Sequence, residues 1–135
     1  MAGDDPRPIL ILNTGSSTFK WALLTDHERF LGTGSEDWEA DDALTRKTQI
    51  ETKLHSLPPV RAVGHRIVHG GRVFRDSIVI DDNVRRDLEG LLTLDLLHMR
   101  PALCALDAAR SVFPDALQVG AFDTAFHRTL DEAPA

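Results

Sequence analysis

The chain has 135 residues, of which 42% are hydrophobic and 27% charged, and its formal net charge is −6. Such a composition is typical of one globular domain with a core, and the acidic balance argues against nucleic acid or an anionic membrane as a partner. The single cysteine, Cys104, excludes an intramolecular disulfide, and we find neither a signal peptide nor a membrane-spanning run. We therefore expect a cytoplasmic protein.

The first part of the chain predicts an antiparallel meander. Residues 1–8 are polar and are expected to form a flexible tail, with one domain over 9–135. Apolar runs at 9–12 and 20–24 flank a polar turn and predict a hairpin, and residues 29–32 predict a third strand.

The rest of the chain alternates between helical and strand-like patterns. Asp41 or Asp42 is a candidate helix cap, and Pro101 is suited to the first turn of a later helix. In order, the predicted elements are a helix over 42–56, strands over 60–68 and 74–80, a helix after residue 82, a helix from about Pro101 and a strand over 117–122. This order predicts an α/β fold in which helices cover a mixed sheet.

The turn between the first two strands reads NTGSSTFK, residues 13–20. Backbone N–H groups and hydroxyls can donate to a phosphate, and Lys20 supplies positive charge. An ordinary polar hairpin turn explains the same residues equally well.

Arg66 lies in the middle of a predicted strand, between apolar residues. A guanidinium in such a place requires an anion, because an unpaired buried charge costs several kcal/mol or more. A carboxylate substrate and a structural ion pair are equally good candidates. His65 and His69 share the other face, but they would lie about 13 Å apart, too far to bind one metal ion.

Asp123 follows the last predicted strand. Carboxylates at such strand ends face the crevice where α/β proteins bind ligands, so Asp123 is a candidate metal ligand, proton acceptor or orienting group. An Asx turn is the structural alternative. Cys104 is expected to be a packed side chain, and His98 is either a helix-entry hydrogen-bond donor or a site residue.

Three stretches in this order resemble the acetate kinase family, within the superfamily of actin, the sugar kinases and Hsp70. They are ILILNTGSSTFKWALL, VGHRIVHGG and FDTAFH, with LLTLDLLHMRPAL between the last two. The resemblance implies a ribonuclease H-like, actin-like domain and phosphoryl transfer from ATP, with Mg²⁺, to acetate or another short carboxylate. ADP and acetyl phosphate would be the products, and full-length members are expected to be homodimers.

The resemblance also implies residue roles. Asn13 is implied at the metal and the phosphates, and Arg66 and Asp123 are implied as catalytic. The residues implied to bind nucleotide phosphate are Ser16, Ser17, Thr18 and Lys20. Those implied to bind the carboxylate substrate are Arg66, Val68, Leu97 and His98.

The chain departs from the family pattern at Met99 and Arg100, where the family usually has Asn-Pro, and at Arg72, where it usually has an acidic residue. The resemblance covers only the N-terminal third of the family, so we expect the C-terminal nucleotide-binding domain to be absent and the chain to be inactive alone. The alternative is a non-catalytic remnant or an interaction module that binds a carboxylate or phosphate, or needs a second chain.

Overall fold

A computed structural model describes residues 6–25, 27, 29–67, 78–90 and 96–122. The elements, in chain order, are β1 (Ile9–Thr14), β2 (Thr18–Leu24), β3 (Phe30–Asp37), α1 (Ala43–His55), β4 (Ala62–Ile67), β5 (Ile78–Val79), α2 (Asp82–Gly90), α3 (Leu96–Val112) and β6 (Leu117–Phe122). Within these residues, no helix is both long and apolar enough to cross a bilayer.

All six strands form one mixed sheet in the order β3-β2-β1-β4-β6-β5. The strands β1, β2 and β3 are antiparallel neighbours, as the meander prediction required. The strands β4 and β6 run parallel to β1, and β5 pairs antiparallel with β6. The predicted α/β fold with a mixed sheet is confirmed.

The main core lies between one face of the sheet and the helices α1 and α3. Leu10 and Phe19 are fully buried there and Leu12 nearly so, because side chains alternate between the two faces of a strand. From α1, Ile50 and Leu54 pack into the same cluster. The predicted cap is also confirmed, since the side chain of Asp42 accepts a hydrogen bond from the Thr45 N–H at 2.8 Å.

The helix α2 packs on α3 through a second apolar cluster that includes Leu88, Met99 and Leu106. An ion pair joins the same two helices, because the Arg85 guanidinium donates to both carboxylate oxygens of Asp107 at 2.7 Å. These contacts hold α2 beside the main core.

The helix α3 begins at Leu96, so the prediction of a start near Pro101 is wrong. Proline lacks the N–H that would bond to the preceding turn, which is why it suggested a first turn. Pro101 and Met99 are instead fully buried. Burial of this segment offsets the missing hydrogen bond, and the proline sits inside the helix.

The strand β3 extends to Asp37 and is longer than the predicted 29–32. Gly32 and Gly34 explain why the prediction was too short, because glycine is unfavourable in strand interiors. The structure explains Gly34: a Cβ at this position would lie 2.3 Å from the Trp21 indole nitrogen. Glycine lets the indole of Trp21 lie directly on β3.

Candidate functional site

The candidate site is built on the hairpin of β1 and β2, whose turn is short and hydrogen-bonded. The Gly15 N–H donates to the Thr18 carbonyl at 2.8 Å, and Ser16 and Ser17 are exposed at the tip. The Gly15 N–H is therefore used within the turn. The remaining donors here include the serine hydroxyls and the Ser16 N–H.

Three of the predicted site residues share one register across neighbouring strands. Asn13 on β1 pairs with Lys20 on β2 and with Arg66 on β4. Directly paired residues project from the same face of a sheet, and neighbouring strands are about 4.8 Å apart. The structure thus brings Lys20, Asn13 and Arg66 into a row whose two outer strands are about 10 Å apart.

The row continues on both sides of these three residues. Lys20 pairs with Ser35 on β3, and Arg66 pairs with Ala121 on β6. Sequence reasoning missed Ser35, because only the register of β3 brings its hydroxyl next to Lys20. We call the set Ser35, Lys20, Asn13 and Arg66 the polar row.

The polar row projects from the face of the sheet opposite to α1 and α3. On β1 the helix-side residues are Leu10 and Leu12, which are buried, whereas Asn13 is half-buried. Lys20 is exposed and Arg66 is half-buried. An ammonium group, an amide and a guanidinium in line suit a ligand that carries more than one anionic oxygen.

Behind Arg66, on the helix side, His65 contacts Gln118 of β6. The His65 Nε2–H donates to the Gln118 Oε1 at 2.7 Å, and the imidazole is only 3% exposed. Burial lowers the pKa of His65 to about 4, although the bond to Gln118 opposes the shift. His65 is therefore neutral near pH 7 and belongs to the core beneath the row, as the predicted alternation of β4 requires.

For four predicted site residues no side-chain position is described. They are Val68, Leu97, His98 and Asp123. Val68 and Asp123 lie outside the described residues, and Asp123 directly follows the last residue of β6. Leu97 and His98 lie in the first turn of α3, where only the backbone is described. Their proposed roles stay predictions.

The described residues offer few ligands for Mg²⁺. Asn13 provides one amide oxygen, which is a suitable hard ligand. Among the residues that the structure describes, no group of three or more His, Cys, Asp or Glu side chains is placed to hold a metal ion. The described part of the site does not by itself form a magnesium site, so no step is assigned to the metal.

Comparison with known proteins identifies the family. The model of the Acetokinase family matches residues 32–135. The chain belongs to the acetokinase family. It is 36% identical to an acetate kinase of Clavibacter michiganensis, over 90% of this chain and 38% of that protein. It is also 36% identical to acetate kinase 1 of Vibrio cholerae, over 90% of this chain and 30% of that protein.

Solved acetate kinases have the same fold in the region that this acetokinase-family chain covers. The Porphyromonas gingivalis enzyme matches with a TM-score of 0.71 and 27% identity, over 91% of this chain and 39% of that one. An exopolyphosphatase of Cytophaga hutchinsonii matches with a TM-score of 0.58 and 9% identity, a likeness of fold alone that agrees with the predicted actin-like class. The chain thus spans less than half the length of the acetate kinases to which it is similar.

Proposed function

We propose that the polar row is the phosphate- and carboxylate-binding part of an acetate kinase site. The observation that carries this proposal is the common register of Lys20, Asn13 and Arg66 on three neighbouring strands. In this proposal Lys20 and the turn hold phosphates of ATP, and Arg66 holds the carboxylate of acetate. Asn13, between them, lies where the transferred phosphoryl group passes.

The reaction proposed for this site is phosphoryl transfer between ATP and acetate. An acetate oxygen attacks the γ-phosphorus, the bond from that phosphorus to the ADP oxygen breaks, and the electron pair leaves with ADP. Acetate is already an anion at neutral pH, so the step needs no strong base. Two cationic residues on strands about 10 Å apart fit a donor and an acceptor that approach each other in line between them.

Asp123 remains the proposed catalytic carboxylate, and Val68, Leu97 and His98 remain proposed around the substrate, on the family resemblance. Mg²⁺ would neutralise charge at the phosphates of ATP, and Asn13 is the described residue proposed to face it. The chain alone is proposed to bind ligands without turnover. Phosphoryl transfer needs several charged groups around the γ-phosphoryl, and the described row supplies two.

Two ligands and three substitutions test the proposal. We expect Lys20→Ala to weaken binding of MgATP about tenfold or more, because one charge-assisted contact is lost. We expect Arg66→Ala to weaken binding of acetyl phosphate by a similar factor. Isothermal titration calorimetry measures both affinities. The matched control is Lys53→Ala, which removes a lysine that lies 5.8 Å from the Trp21 ring on the helix side.

We expect Lys20→Ala to weaken mainly the binding of MgATP and Arg66→Ala mainly the binding of acetyl phosphate. Lys53→Ala should leave both affinities unchanged. Equal affinities in all four proteins would contradict the proposed roles of Lys20 and Arg66. Hydroxylamine trapping of acetyl phosphate from ATP, magnesium and acetate measures turnover in the same samples. Robust turnover would refute the statement that the chain alone is inactive.

A further inference from the structure

Trp38, directly after β3, contacts the turn between β1 and β2. We call these two strands and their turn the site hairpin. Its backbone N–H donates to the Ser17 carbonyl at 3.0 Å, and its indole Nε1–H donates to the Gly15 carbonyl at 2.9 Å. The indole ring also packs on Phe19, with 5.1 Å between the ring centroids. Trp38 therefore fixes two of the turn's carbonyl groups and the first core residue of β2.

The helix α1 holds Trp38 in this position. The Gln49 side chain accepts a hydrogen bond from the Glu39 N–H and donates one to the Asp37 carbonyl, both at 2.9 Å. It therefore bonds to the backbone on either side of Trp38. The Arg46 guanidinium lies over the indole, 4.9 Å from the ring centroid. Both residues are buried, and their side chains make hydrogen bonds within the fold.

These contacts determine where the amide donors of the turn point. In a trans peptide unit the C=O and the N–H point in opposite directions. Holding the Gly15 carbonyl therefore orients the Ser16 N–H away from the indole. The Thr18 N–H lies on the same side of β2 as the Thr18 carbonyl, which accepts from Gly15, so it faces β1.

We propose that Trp38 is a positioning residue that orients the Ser16 amide of the turn toward a bound phosphate. The proposal rests on the function proposed above for the turn. It extends that function to a residue outside the stretch that carried the family resemblance. Trp38 acts through the turn and makes no contact with the phosphate itself.

The test compares Trp38→Phe with Trp21→Phe. Trp38→Phe keeps an aromatic ring but removes the indole N–H, whereas Trp21→Phe makes the same change in an indole that lies over Gly34. We expect Trp38→Phe to accelerate amide exchange of residues 15–18 about tenfold, with the Leu10 and Leu12 amides unchanged. We also expect its affinity for MgATP to fall about tenfold, because preorganised donors bind better. Neither change is expected in Trp21→Phe.

The two readouts separate this inference from the proposed function. Unchanged exchange in the turn of Trp38→Phe, or equal acceleration throughout β1, would overturn the positioning role, because a merely structural residue would affect the whole hairpin. Accelerated exchange in the turn with unchanged MgATP affinity would also overturn it. If the unsubstituted chain does not bind MgATP at all, the proposed function fails and the phosphate role of Trp38 fails with it. Exchange would still decide whether Trp38 holds the turn.

Discussion

Acidification should destabilise the fold through the buried pair of His65 and Gln118. The pKa of His65 falls from 6.5 to about 4 on folding, because burial disfavours the imidazolium. In the described part of the chain the Nδ1 atom of His65 has no hydrogen-bond partner, so a proton added there would stay unpaired. Protonation therefore favours the unfolded chain.

The sign and size of the effect follow from proton linkage. Above the unfolded pKa of 6.5 the imidazole is neutral in both states, and the contribution of His65 is fully present. As the pH falls from 6.5 toward 4 the unfolded chain binds a proton that the folded chain does not, and stability is lost. The full shift is worth about 3 kcal/mol, and most of it is lost by about pH 4.5.

Urea unfolding followed by tryptophan fluorescence, at several pH values between about 7.5 and 4.5, measures this loss. The His65→Gln variant is the control, because glutamine can hydrogen-bond to Gln118 but does not titrate. We expect the free energy of unfolding to fall by about 2.5 kcal/mol more in the unsubstituted chain than in this variant. If the free energy of unfolding falls equally with pH in the two proteins, the claim that His65 is buried and neutral is refuted.

Two further predictions concern packing. Burial raises the pKa of the Cys104 thiol, which contacts the Ala43 carbonyl, so a thiol reagent such as DTNB should react slowly until urea unfolds the chain; fast reaction of the folded chain would contradict this. Gly34→Ala should destabilise the fold by about 1–3 kcal/mol in urea unfolding, since its Cβ would overlap Trp21, whereas Gly32→Ala, whose Cβ would lie 3.5 Å from Trp21, should be nearly neutral. Equal stability of the two variants would argue against the packing of Trp21 on β3.

The elements that follow strong local patterns could be predicted from the sequence. The hairpin, the cap of α1 and the strand β6 all follow from apolar runs bounded by turn or capping residues. The position of Pro101 inside α3 and the full length of β3 could not be predicted, because tertiary packing overrides local preference at both. Burial keeps Pro101 inside α3, and the indole of Trp21 requires glycine in β3.

For the candidate site, residue types were predictable and relative positions were not. Arg66 stood out because a cation beside apolar strand residues needs an explanation, and Lys20 stood out as the positive charge of a turn suited to phosphate. Their common register with Asn13 depends on how β1 pairs with two strands that are distant in sequence from each other. A shift of one residue in either pairing would move one cation to the opposite face, and no local pattern determines that choice.

The buried polar residues of α1 link the packing of the fold to the candidate site. The apolar residues Ile50 and Leu54 of α1 are buried, but the polar residues Arg46 and Gln49 of the same helix are buried as well. Burying such side chains is unfavourable unless their polar groups are bonded, and both use them to hold the segment around Trp38. That segment in turn fixes the site hairpin. The departure of α1 from a simple apolar pattern is therefore explained by the support it gives to the turn that we propose binds phosphate.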